Sequence, residues 1–101
     1  MQFDVYRRGG RTAAYLPDVQ SNQFDHYVSR TIVPLVDPST LASSHMRLNP
    51  RLIVQGREVI MMTQALGMAD RHILKKEDYV ENLLQQRDEI VKALDTLFDT
   101  Y

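Results

Sequence analysis

The sequence predicts a mainly β protein, a small antiparallel domain of about five strands closed by one C-terminal α-helix. Three observations carry this. Short β-branched and apolar runs fill the first three quarters of the chain, punctuated by glycine and proline. One break, Gln55-Gly56 between "RLIV" and "REVIMMT", has the form of a two-residue hairpin turn. Towards the C-terminus the apolar spacing changes to three- and four-residue steps, the period of an amphipathic helix.

Taken in order, Phe3 and Val5 alternate with their neighbours in "MQFDVY" as a first strand. "RRGGR" (7–11) supplies a Gly-Gly turn, and "AAYLPDVQ" (13–20) returns as the partner strand, with Pro17 placing it at an edge or bulge. "TIVPLV" (31–36) is a further apolar strand, interrupted by proline, and "DPSTLASSH" (37–45) reads as a loop with one helical turn. The hairpin over 51–63 follows, and "DRHIL" (70–74) is a last short strand. Val80, Leu83, Leu84, Ile90, Val91, Leu94, Leu97 and Phe98 then form an apolar stripe opposite Glu81, Gln85, Asp88, Glu89, Lys92 and Asp95. Asp78 with Glu81 resembles a capping box, so the helix is expected to start at 78 or 79 and run to the end of the chain.

The end of that helix contradicts local physics. Partial negative charge gathers at a helix C-terminus and favours cations. Here "LFDTY" brings Asp95, Asp99 and the terminal carboxylate, opposed only by Lys92. Such conflicts tend to sit at functional positions.

A chain of 101 residues, 44 % hydrophobic and 25 % charged, is expected to form one globular domain over 1–101. Twelve Lys+Arg against thirteen Asp+Glu argue against a protein that coats nucleic acid. The absence of cysteine excludes disulfides, thiolate metal sites and cysteine nucleophiles. With no apolar signal core and no membrane-length run, a cytoplasmic location is expected. His26, His45 and His72 are far apart and lack ligand-spaced partners, and Asp78, Asp88 and Glu89 lie on the solvated helix face. No phosphate-cradling glycine loop or nucleophile elbow is present, so neither a cofactor nor catalytic residues are expected. Met61, Met62 and Met68 read as core filling. Phe24, in the polar "SNQFDHY", is either turned inward or an exposed contact residue. Arg7, Arg8 and Arg11 either keep a hairpin edge soluble or meet phosphate or an acidic partner.

The order of segments carries more than any one of them. "MQFDVY", "DVQS" (18–21), "IVPL" (32–35), "NP" (49–50) before an apolar strand, "MMT" (61–63) and a final helix ending in "LF" are collinear over the chain. Together they resemble the CcdB family of toxins from toxin–antitoxin modules. The resemblance implies an SH3-like β barrel with a C-terminal helix, a twofold homodimer and no enzymatic activity. It implies a toxin that binds the A subunit of DNA gyrase and traps the cleaved gyrase–DNA complex. A cognate antitoxin would neutralise it, with DNA met only through that antitoxin or through gyrase. The gyrase contact carries over to Gln23 and Phe24 in the loop after "DVQS" and to Asp95, Phe98, Asp99, Thr100 and Tyr101 at the helix end. Arg7, Arg8 and Arg11 are candidates for meeting an acidic antitoxin segment, as is a sheet edge near Pro17.

The departure lies in the same place. The family pattern ends in tryptophan, glycine and isoleucine, where this chain has Asp99, Thr100 and Tyr101, and only Phe98 keeps its character. Losing a central aromatic anchor typically costs at least about 2 kcal/mol. Two alternatives follow: an antitoxin-binding relative whose gyrase activity is lost or redirected, and a ribonuclease of the MazF or Kid type on the same fold. The second would recruit Arg7, Arg8, Arg11 and His26, although nothing in their spacing requires it.

Overall fold

A computed structural model describes residues 1–8, 13–40 and 47–99. Among them are eight strands and one α-helix: β1 (Asp4–Arg7), β2 (Ala13–Pro17), β3 (Ser29–Ile32), β4 (Leu35–Val36), β5 (Arg51–Val54), β6 (Arg57–Met61), β7 (Gly67–Asp70), β8 (Tyr79–Asn82) and α1 (Arg87–Phe98). Six strands make one antiparallel sheet in the order β5-β6-β4-β2-β1-β8, and β3 pairs with β7. The large sheet curls into the half-barrel of an SH3-like fold, with α1 at its C-terminus.

The β5–β6 hairpin forms as its sequence dictates. Gln55 (φ 51°) and Gly56 (φ 75°) both adopt the positive φ that a type I′ turn requires, and the register runs from Val54↔Arg57 to Arg51↔Ile60. Alternation along β5 turns Leu52 and Val54 inward and leaves Arg51 and Ile53 outside. Leu52 and Val54 join Val5, Leu35, Val59 and Met61 in the core, against Leu83 and against Ile90 and Ala93 of α1. Each large aliphatic side chain so buried contributes roughly 1.5–3 kcal/mol. Phe3 adds its ring to this core with φ at 72°, held by its N–H donating to Asp18 C=O and its C=O accepting from Leu83 N–H.

The C-terminal quarter departs from the sequence expectation. Residues 79–82 are a strand, and α1 begins only at Arg87, after a 3-10 turn at Leu84–Gln86. The Asp78–Glu81 pair is therefore not a capping box. β1 needs a partner on its outer side, and β8 supplies it in the register Asp4↔Asn82 and Val5↔Glu81. Asn82 fixes the junction, its amide donating to Gln2 C=O and Asp4 Oδ1 while its own oxygen accepts from Leu84 N–H. Gln86 spends its side chain elsewhere: its oxygen accepts from Ile53 N–H and its amide donates to Ile53 C=O. Glu81 in β8 likewise accepts from Gln55 N–H in the hairpin turn, so side chains of β8 and of the 3-10 turn after it tie onto the β5–β6 hairpin.

"DRHIL" is not a strand: β7 ends at Asp70, whose carboxylate accepts from His72 N–H and opens a 3-10 turn at Arg71–Ile73. Pro34 divides "TIVPLV" between β3 and β4, which join different sheets. Pro17 is not at a sheet edge, because β2 lies between β1 and β4; it closes β2 with its own C=O accepting from Val33 N–H, and the irregularity in β2 falls between Ala13 and Tyr15 instead. Met61 fills the core as expected, whereas Met68 is 71 % exposed. The predicted helical turn after residue 37 is present at Pro38–Thr40, while the Gly-Gly turn and His45 lie outside the described residues.

Candidate functional site

The loop after "DVQS" is built by short-range polar chemistry. Ser21 Oγ accepts from Gln23 N–H and starts a 3-10 turn at Asn22–Phe24. Gln2 N–H donates to Asn22 Oδ1 at 2.7 Å, and Gln20 donates its amide to Phe24 C=O at 2.8 Å. With both ends tied, Gln23 and Phe24 are presented outward, and Phe24 is 42 % exposed. Its ring packs on Tyr27 with centroids 5.7 Å apart, and His26 meets the same tyrosine edge-on. Beside them Thr31 and Met68, cross-strand partners in β3 and β7, complete a shallow hollow of about 310 Å³.

Beneath this turn lies a charge cluster that holds it. Arg30 is buried, because alternation along β3 sends it inward with Ile32. Its Nε and Nη2 both reach Asp18 Oδ2, at 2.9 and 2.8 Å. Nη2 also meets Asp25 Oδ1, and Nη1 donates to Asp25 C=O, each at 2.9 Å. Arg71 donates to the same carbonyl, and the Met1 amino group lies 3.3 Å from Asp25 Oδ1. Burial pushes the Asp25 carboxyl up, but the Met1 ammonium and the Arg30 guanidinium outweigh it and hold the group below its ordinary value. The residue after Phe24 is thus anchored from three sides. Beyond the alternation of Arg30 with Ile32 towards one face, nothing local in the sequence marks Arg30 or Asp25 for this cluster.

At the other candidate position, α1 ends at Phe98, and Asp99 is extended (φ −68°, ψ 137°). The helix therefore stops short of the chain end, where Thr100 and Tyr101 lie outside the described residues. Asp88 and Glu89 occupy its first turn, where the dipole favours them, and its last turn carries no base. Asp95 lines a hollow with Arg47, Glu89 and Lys92. Phe98 is 66 % exposed, so the last turn contributes nothing to the core through that ring.

Among the described residues no hydrogen bond, ion pair or ring contact joins the Gln23–Phe24 turn to Asp95, Phe98 or Asp99. A single chain thus presents two separate aromatic positions. Arg7 and Arg8 are exposed at the end of β1, and Arg11 lies outside the described residues. His26 is exposed beside Tyr27, and among the described residues no hydrogen bond, ion pair or ring contact joins it to Arg7 or Arg8. No described cluster of three histidine or acidic side chains is arranged to hold a metal, and no described helix is long and apolar enough to cross a membrane.

A comparison with protein families matches residues 2–100 to the family described as CcdB protein. A comparison with curated proteins returned no match.

Proposed function

The chain belongs to the CcdB family, whose members are toxins of toxin–antitoxin modules, and on that premise we propose that it acts by binding the A subunit of DNA gyrase and trapping the cleaved gyrase–DNA complex. It does so as a single domain and as a cytoplasmic homodimer, and a cognate antitoxin neutralises it. The observation that carries the gyrase contact is Phe98, a large ring left 66 % exposed on the last helical turn, where folding has no use for it. Twofold pairing doubles the Gln23–Phe24 turn and the Asp95–Asp99 end, with Thr100 and Tyr101 following, into one surface suited to a symmetric target. No covalent step is asked of the protein. Its effect is the binding energy it places on a gyrase state that is otherwise transient.

The test is a DNA-cleavage assay with purified gyrase from the same cell. Trapped cleavage complexes that rise with toxin concentration are expected, and their absence at saturating protein overturns the reading.

Asp99 favours a second reading, an antitoxin-binding relative whose gyrase activity is lost or redirected. A carboxylate stands where the family pattern has an indole, and two copies near a dyad repel. Arginines on the target can still pair with those carboxylates. Asp99→Trp separates the readings: if it creates trapping that the native chain lacks, the native tail is a blunted one.

A further inference from the structure

We propose that Arg71 is a positioning residue for the gyrase contact: it holds residues 25–28 at both ends and so presets the Phe24–Tyr27 ring pair. The inference rests on the proposed function for the identity of the partner alone. Local sequence places the arginine. Asp70 ends β7, and its carboxylate accepts from His72 N–H to open the 3-10 turn in which Arg71 is the first residue. Strand pairing sets that point beside the Phe24 loop, because Asp70 is the register partner of Ser29, where β3 begins.

From there Arg71 reaches the loop twice. Its backbone N–H donates to Val28 C=O at 2.8 Å, and its guanidinium donates through Nη2 to Asp25 C=O at 3.1 Å. Arg30 Nη1 donates to the same carbonyl at 2.9 Å, so both lone pairs of that oxygen are taken. Among the described residues no carboxylate lies within ion-pair distance of Arg71, so its side chain serves the loop backbone and not a neighbouring charge. Between the two grips lie His26 and Tyr27, and just before them Phe24, whose C=O accepts from Gln20 and from Tyr27 N–H. Phe24 and Tyr27 are 42 % and 50 % exposed, and both line the hollow they share with Met68. Tyr27 thereby joins Phe24 as a contact residue. A side chain that must be ordered on contact weakens binding by roughly two- to twelvefold. Fixing the loop beforehand removes that penalty for both rings, as hydrogen bonds behind a contact surface do. Arg30 shares the grip, but its loss strands the buried Asp18 and perturbs the whole fold. Arg71 is exposed, so its removal isolates the positioning.

Arg71→Ala is compared with Phe24→Ala and with the double variant, in the full chain, by thermal unfolding, by backbone amide relaxation of the free protein and by gyrase cleavage trapping. Arg71→Ala is expected to shift Tm by no more than about 4 °C, as surface substitutions do. Order parameters over residues 25–28 are expected to fall from about 0.85 towards 0.6 while the strands stay rigid. Trapping potency is expected to fall about fivefold or more. On the Phe24→Ala background that loss should shrink by at least about twofold, because a residue that acts through the ring pair matters less once one ring is gone. Unchanged order parameters, parental potency in Arg71→Ala, or equal losses with and without Phe24 would each overturn the proposal. If the parent traps nothing, the gyrase reading fails by itself, and the order parameters alone then decide whether Arg71 positions the loop.

Discussion

Replacing Arg30 by leucine isolates the energetic role of the cluster beneath the Phe24 turn. The guanidinium touches Asp18 with two nitrogens and Asp25 with two more contacts, and both Arg30 and Asp18 are 2 % exposed. Without it Asp18 keeps Gln20 N–H at 3.0 Å and the Met1 amino group at 3.9 Å, which is poor compensation for a carboxylate shut off from water. Removing one partner of a buried pair costs about 3–5 kcal/mol, because the other charge is stranded. Small domains hold only about 5–15 kcal/mol in total. For a chain of this size a loss near 4 kcal/mol lowers Tm by roughly 16–32 °C. Urea denaturation followed by circular dichroism reads the same loss as a fall in midpoint at constant slope. The double variant Arg30→Met/Asp18→Asn should recover much of the loss, since no charge is then stranded. A single-variant loss below about 1 kcal/mol, or a double variant no more stable than Arg30→Leu, would refute the stranded-charge argument.

Three further outcomes are expected. Gly56→Ala should cost about 1–2 kcal/mol in urea denaturation, from the positive φ alone, because a Cβ there meets open space. The hydrogen bond from Arg57, then those from Ser39, hold the Asp37 carboxyl at about 2, below its ordinary 3.8. A depressed carboxylate stabilises the fold above its ordinary value and loses that contribution as pH falls through about 2; carbon-detected titration should place the Asp37 midpoint there and move it up in Arg57→Ala. Phe98→Ala should leave thermal stability within about 0.5 kcal/mol. In gyrase trapping the same change should lower potency about thirtyfold or more, the equivalent of at least ~2 kcal/mol.

What the sequence could convey was local. The β5–β6 hairpin was readable because Gln55-Gly56 leaves few other conformations, and the apolar face of α1 because Ile90, Val91 and Leu94 repeat within one element. β8 was not readable: Val80, Leu83 and Leu84 fit a helical stripe as well as a strand and its exit, and only the need of distant β1 for a partner decides between them. Pro17 misled for a related reason, since a proline at the close of a strand looks the same in sequence whether the strand is internal or outermost. At the candidate site Phe98 was identifiable from the charge conflict around it. Arg30 was hidden because burial of a cation depends on Asp18 and Asp25 folding back to meet it.

The tie from Gln86 to Ile53 of β5 has a consequence for how the protein behaves among its neighbours. A side-chain amide that both accepts from and donates to one backbone residue imitates the rung of a ladder, so at Ile53 the outermost strand β5 offers no vacancy to a strand from another molecule. At Ile53 that protection is carried by a single replaceable side chain, Gln86. A clone in which Gln86 is lost would retain its interior and its aromatic tip, yet would tend to stick to its own kind, and its first symptom would be turbidity.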